Sequence, residues 1–236
     1  MSARAVQKEI RVLGSAERAQ NCARFFKTGP GQYGEGDCFL GLSMPELRKV
    51  AKKFQELVFS DIETLLESRW HEERMAGLLI LVLQYQKTND VQRKQEIFDF
   101  YLNHRAAINN WDLVDVTTPH IVGTHLLSRP KAERAFLYDF ARSGNMWERR
   151  IAILATFPFI RAGKHADTLD IAEILLDDTE DLIHKAIGWM LREVGKQDEK
   201  KLKKFLEKHI RRMPRTTLRY AIEKFSEKER KAWLKK

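Results

Sequence analysis

At 236 residues the chain is long enough for one large domain or a short repeat array with a continuous core. Hydrophobic residues at 43% and charged residues at 32% exclude a disordered polymer. The longest apolar run, Ala76 to Leu83, is too short to cross a bilayer.

The net charge of +9 is unevenly placed. Residues 196–236 carry 16 Lys/Arg against 6 Asp/Glu, while the preceding 195 residues are close to neutral. Such a block suits a polyanion, because neutralised phosphates release counterions; a solvated face on lysine-rich helices explains it equally well. The N-terminal stretch has no apolar signal segment, so a cytoplasmic protein with two free thiols, Cys22 and Cys38, is expected.

In chain order, the expected elements are nearly all helical. A helical stretch over Ala23 to Lys27 leads into Gly29-Pro-Gly31-Gln-Tyr-Gly34. That string satisfies G-x-G-x-x-G but contains a proline and follows a helix rather than a strand, so it is expected to be a flexible linker and not a dinucleotide site. Ser43-Met-Pro-Glu46 and Ser60-Asp-Ile-Glu63 both match a capping box. Ile153, Leu154, Phe157 and Ile160 recur with helical period, as do Ile183, Ala186, Ile187 and Met190. No strand pattern occurs.

Three stretches resemble one another: Trp70-His-Glu-Glu-Arg74, Trp147-Glu-Arg-Arg150 and Ile183-His-Lys185 through Trp189. Aligning Arg74, Arg150 and Lys185 gives separations of 76 and 35 residues, close to two repeats and one. A period of about 35 to 40 residues with two helices per unit predicts an all-α, HEAT-like solenoid of stacked antiparallel helix pairs with a concave groove. We expect one domain over 1–236: helices and a glycine-rich loop over 1–42, a repeat core over 43–195, and basic helices over 196–236.

Within that core, Asn109-Asn110-Trp111-Asp-Leu-Val-Asp115 is followed by Pro119. Asn109 or Asn110 can cap a helix starting at Trp111. Trp111 and Asp115, four apart, share a helix face. The ring of Pro119 clashes with the carbonyl of Asp115, so the helix should kink or break where the carboxylate projects. An indole beside a carboxylate suits a cation; a core tryptophan with a surface aspartate is the ordinary alternative. Metal chemistry is not expected, because His120 and His125 do not share a face and Asp112 and Asp115 diverge.

Taken together, Trp111-Asp-Leu-Val-Asp115…Pro119, Asn145-Met-Trp147-Glu-Arg-Arg150-Ile-Ala-Ile-Leu and Lys185-Ala-Ile-Gly-Trp189-Met-Leu-Arg192-Glu193 resemble the AlkD-type family of DNA alkylation repair glycosylases. Ala23-Arg-Phe-Phe-Lys27 and Phe39 to Arg48 fit the same family, so the resemblance runs from about residue 20 to residue 195. It implies a monofunctional alkylpurine DNA glycosylase; we expect a monomer without a cofactor. Its substrates would be 3-alkyladenine and 7-alkylguanine in duplex DNA. It also implies that Asp115 is the catalytic aspartate, that Trp111 and Trp189 are cleft tryptophans, and that Arg150 holds a phosphate. Asn110 departs from the family, several members of which have tryptophan there. Arg149, Trp147, Lys185 and Arg192 are candidate DNA contacts, the last two being equally suited to ion pairs on their own helix. A non-catalytic HEAT-repeat protein that recognises damaged or branched DNA is the alternative reading.

Overall fold

The computed structural model describes residues 1–236, and it contains helices, turns and no strand. Two compact units divide the chain, residues 1–113 and residues 114–236.

In the first unit, α1 (Ala3–Leu13), α3 (Met44–Lys53), α4 (Phe59–Leu66) and α6 (Val91–Asn103) surround α5 (His71–Lys87). Helix α2 (Ala16–Phe25) precedes the glycine-rich segment. Helix α5 contains the apolar run of the sequence and is buried on nearly every side. Its first turn is buried too, although it reads His-Glu-Glu-Arg, and each charge there has partners. Glu72 accepts the backbone N–H groups of Leu40 (2.8 Å), Gly41 (2.7 Å) and Leu42 (3.3 Å). Glu73 accepts from Arg11 (3.0 Å), Gln7 (3.0 Å) and the Ser68 hydroxyl (2.8 Å). Carboxylates at a helix N-terminus are favoured by the macrodipole, and here they also fasten α1 and the loop at 40–42 to the core.

The capping box at Ser43 forms, with the Glu46 carboxylate accepting both the N–H and the hydroxyl of Ser43 at 2.7 Å. The one expected at Ser60 does not. Helix α4 starts at Phe59 after an extended Val58, which places Ser60 inside the helix. Burial of Leu57 and Ile62 sets that register. Asp61 accepts the N–H of Ala3 at 2.9 Å and so caps α1. The glycine-rich segment is a series of turns closed by its own bonds, Gly29 N–H to Gln32 (3.2 Å), Gly31 N–H to Glu35 (2.8 Å) and Gly34 N–H to the Lys27 carbonyl (3.2 Å).

In the second unit, α10 (Met146–Leu154), α12 (Ala166–Ile174), α14 (Glu199–His209) and α15 (Arg215–Ala221) surround α13 (Asp181–Gln197). Helices α9 (Ala135–Phe140) and α11 (Phe157–Arg161) complete it on one side, and α16 (Glu227–Lys235) closes the C-terminus with a Ser226–Glu229 capping box. The repeat period appears here as ion pairs and hydrogen bonds between residues 35 apart: Arg150 with Asp115, Lys208 with Glu173, Arg212 with Asp177 and Thr216 with Asp181. Each joins equivalent points of neighbouring helix pairs, as stacking of like units requires. Seven basic residues of the C-terminal block, Lys196, Lys201, Lys203, Lys208, Arg212, Lys224 and Lys231, lie in ion pairs on this unit's surface.

Gly188 lies where α13 meets α15. A Cβ there would come within 2.4 Å of the Tyr220 Cβ and 2.7 Å of the Thr217 carbonyl. Gly188→Ala therefore forces the two helices apart, and should lower unfolding stability by about 1–3 kcal/mol in denaturant titration.

Candidate nucleic-acid interface

Helix α7 (Trp111–Thr117) carries the signature aspartate and one of the tryptophans, and the boundary between the two units falls within it. Pro119 breaks it as expected. The chain continues as a π-helical turn over Pro119–Gly123, with the Gly123 N–H bonded to the Thr118 carbonyl (3.0 Å), before a short α8 (Thr124–Leu126). The wide turn fits because Gly123 has no Cβ, which would sit 2.4 Å from the Ala155 carbonyl.

In the second unit Asp115 meets Arg150 in a bidentate pair, Nε to Oδ1 at 2.8 Å and Nη2 to Oδ2 at 2.7 Å. The Arg150 side chain is 5% exposed and that of Asp115 14%. A third N–H of Arg150 donates to the Leu182 carbonyl at 2.5 Å, so the guanidinium is fixed by α13 as well as by the carboxylate. These three bonds leave one N–H on each terminal nitrogen. Arg150 thus serves Asp115 first, and the expected open phosphate clamp is confined to that remaining edge. Trp189, on α13, is half-buried beside Phe157, with ring centroids 5.8 Å apart, and Arg161 stacks over Phe157 at 4.3 Å.

The other candidate DNA contacts differ in how far they are committed. Arg149 donates to Asp178 (2.6 and 3.4 Å) and to the carbonyls of Ser143 (3.0 Å) and Gly144 (3.1 Å), which uses four of its five N–H groups. Its geometry is that of a structural arginine. Arg192 is held by Glu223 and Glu193. Lys185 pairs with Asp181 at 2.8 Å while keeping 40% of its side chain exposed. Trp147 is half-buried, its backbone N–H capped by Asn145 at 2.8 Å.

In the first unit Trp111 is held from both sides. Its N–H bonds to the Asn110 side-chain oxygen at 2.8 Å, so Asn110 is the cap. Its indole stacks on Phe26, with centroids 5.3 Å apart and planes 20° from parallel, and Phe25 meets it edge-on at 5.8 Å. Phe25 is 65% exposed. Below this stack lies a charged cluster that residue patterns had not indicated. His71 is 3% exposed; its Nε2 is 2.8 Å from Asp112 and its Nδ1 3.2 Å from Asp37. Arg74 binds Asp37 and Asn109, and Asn110 donates to Asp37 at 3.0 Å. Only the repeated Trp-His-Glu-Glu-Arg string hinted at this region, because the partners lie 34 and 41 residues from His71.

Burial alone would lower the pKa of His71, but the bonds to Asp112 and Asp37 outweigh it and raise it to about 9. Burial pushes Asp37 up, yet His71, Arg74 and Asn110 together bring it down to about 2.

The folds and site geometry define an all-helical repeat protein carrying an arginine-clamped aspartate next to a proline-induced helix break. The family described as "DNA alkylation repair enzyme" matches residues 6–225, and the chain belongs to that family. Among solved structures, a predicted DNA alkylation repair enzyme from Enterococcus faecalis is similar at a TM-score of 0.71 and 16% identity, over 91% of this chain and 97% of that one. AlkD2 from Streptococcus mutans is similar at a TM-score of 0.55 and 15% identity, over 95% and 97%. At these identities the likeness is one of fold. No curated protein matches the chain. No helix is long and apolar enough to cross a membrane, and both cysteines are free thiols.

A raised folded-state pKa gives stability that is complete below the unfolded value of 6.5 and is lost as pH rises through about 9. The lowered pKa of Asp37 acts oppositely: its share is present above 3.8 and is lost as pH falls through about 2. Urea denaturation midpoints should therefore decline between pH 6.5 and 9, and His71→Gln should remove most of that decline. Separately, Arg150→Ala removes one partner of a largely buried pair and should cost about 3–5 kcal/mol by the same assay. Arg150→Lys should recover only part of this, because an ammonium cannot form the two parallel bonds.

Proposed function

We propose that the protein is a monofunctional glycosylase that hydrolyses the N-glycosidic bond of positively charged alkylpurines in duplex DNA, leaving an abasic site. The observation that carries the reading is the Asp115–Arg150 pair, which holds a carboxylate in one orientation on the α7 segment that Pro119 breaks.

The chemistry asks little more of the protein. Alkylation at N3 of adenine or N7 of guanine already gives the base a positive charge, so it leaves without protonation. As the C1′–N bond breaks, the bonding pair goes to the base and the deoxyribose becomes an oxocarbenium ion. Water then adds at C1′ and gives up a proton to bulk solvent, leaving a hydroxyl at C1′ of the abasic sugar. Asp115 supplies negative potential at that sugar and orients the water. Trp111 and Trp189 present indole faces that favour the cation and pack along the sugar-phosphate backbone. Arg150 fixes the carboxylate and, through its remaining N–H edge, meets a phosphate without reading sequence. Lys185, half-exposed, is a further phosphate contact. Arg149, by its bonds, keeps the turn before α10 and Asp178 in place.

Single-turnover release of 7-methylguanine from methylated duplex DNA tests this reading. Asp115→Asn should slow release about 10²- to 10³-fold, the usual effect of one preorganised electrostatic group, with DNA affinity retained. Absence of release by the wild type, with salt-sensitive DNA binding intact, would identify a non-catalytic DNA-binding protein instead.

A further inference from the structure

The charged cluster in the first unit holds the side chains of residues on both sides of Trp111. Asn109 is held by Arg74 (3.2 Å), Asn110 by Asp37 (3.0 Å) and Asp112 by His71 (2.8 Å). The indole itself rests on Phe26, whose ring is stacked on Phe39 (4.9 Å) and lies 5.2 Å from His71. Phe39 in turn stacks on the His71 ring at 4.7 Å. His71 thus bonds Asp112 directly, holds the Asp37 that binds Asn110, and packs against the aromatic stack under the indole.

We propose that His71, present as an imidazolium because both its ring nitrogens face carboxylates, is the positioning residue that holds Trp111 in place for DNA. The proposal rests on the role given to Trp111 above and assigns no chemical step to His71 itself. Geometry requires the charge: a neutral imidazole has one N–H, and its other nitrogen would turn a lone pair toward Asp37 or Asp112. With His71 charged, Asp37, Asp112, His71 and Arg74 balance; without it, the buried cluster carries an uncompensated negative charge. Other ionisable residues beside this cluster include Glu72 on α5, engaged with the backbone at 40–42, Cys38, whose carbonyl accepts the His71 N–H at 2.9 Å, and the Cys22 thiol on α2. Burial, Glu72 and Asp112 push that thiol up against a lowering effect of Arg18, so it adds no further negative charge at neutral pH. The cation also lies against the faces of Phe26 and Phe39, where the ring quadrupoles favour it.

The test follows the fluorescence of Trp111, obtained as the difference between each protein and the same protein carrying Trp111→Phe, alongside single-turnover release of 7-methylguanine. In the wild type the Trp111 signal should change as pH rises, with a midpoint near 9, and the release rate should fall with it. In His71→Gln the signal should be altered already at neutral pH and should no longer titrate. Its release should be about 10- to 100-fold slower, the effect of a small misplacement, with DNA affinity within about threefold. A Trp111 signal that is the same in wild type and His71→Gln and flat from pH 7 to 10 would overturn the proposal. If His71→Gln does not fold, Asp112→Asn takes its place: a midpoint clearly below that of the wild type supports the assignment, and an unchanged one overturns it. A wild type that shows the titrating Trp111 signal but releases no base would reject the glycosylase reading while leaving the positioning role supported.

Discussion

A charge removed from water must be given a partner, and this fold places its most informative charges where that constraint is tightest. Asp115 and Arg150 satisfy each other with two parallel bonds. Glu72 and Glu73 satisfy backbone donors of the loop at 40–42 and side-chain donors of α1. Asp37, His71, Arg74 and Asp112 form a closed set. Breaking such pairs costs far more than breaking a surface ion pair, because the orphaned charge stays buried. Each therefore fixes geometry as well as charge, and geometry is what the proposed site needs.

The proposed chemistry places an unusual division of labour between protein and substrate. An alkylated purine arrives with its leaving group already activated, so the protein needs no general acid and no metal at the base. Its task reduces to holding negative potential and a water at the sugar, where positive charge appears only as the bond breaks. A carboxylate held by an arginine suits this task. The arginine fixes its orientation, and orientation in place before reaction is the source of electrostatic catalysis.

Much of this was legible in the residues. The helical period, the 35-residue spacing and the capping box at Ser43 depend on neighbours within a few residues or on repetition, and both survive folding. The break after Asp115 was legible for the same reason: the clash of Pro119 is local and no tertiary contact can remove it. The capping box at Ser60 was equally plain in the string and did not form. Val58 is extended and Leu57 buried, so packing of the preceding residues moved the helix start; Glu63 pairs with His104 and Asp61 caps α1 instead. Local propensity yields to burial wherever the two disagree.

Sequence by itself determined the all-helical repeat and the family, and it singled out the residues on which the proposed site is built. It could not determine what each charged residue does with its charge. Arg149 and Arg150 are adjacent and chemically identical, yet one is spent on Asp178 and two carbonyls while the other clamps Asp115. His71 stood unremarked within a repeated string until folding brought Asp37 and Asp112 to its two nitrogens from 34 residues before and 41 residues after. Side-chain periodicity follows from the helix and can be read along the chain. Ion-pair partnership depends on distances of about 3 Å between residues far apart in sequence, and only the tertiary structure sets those.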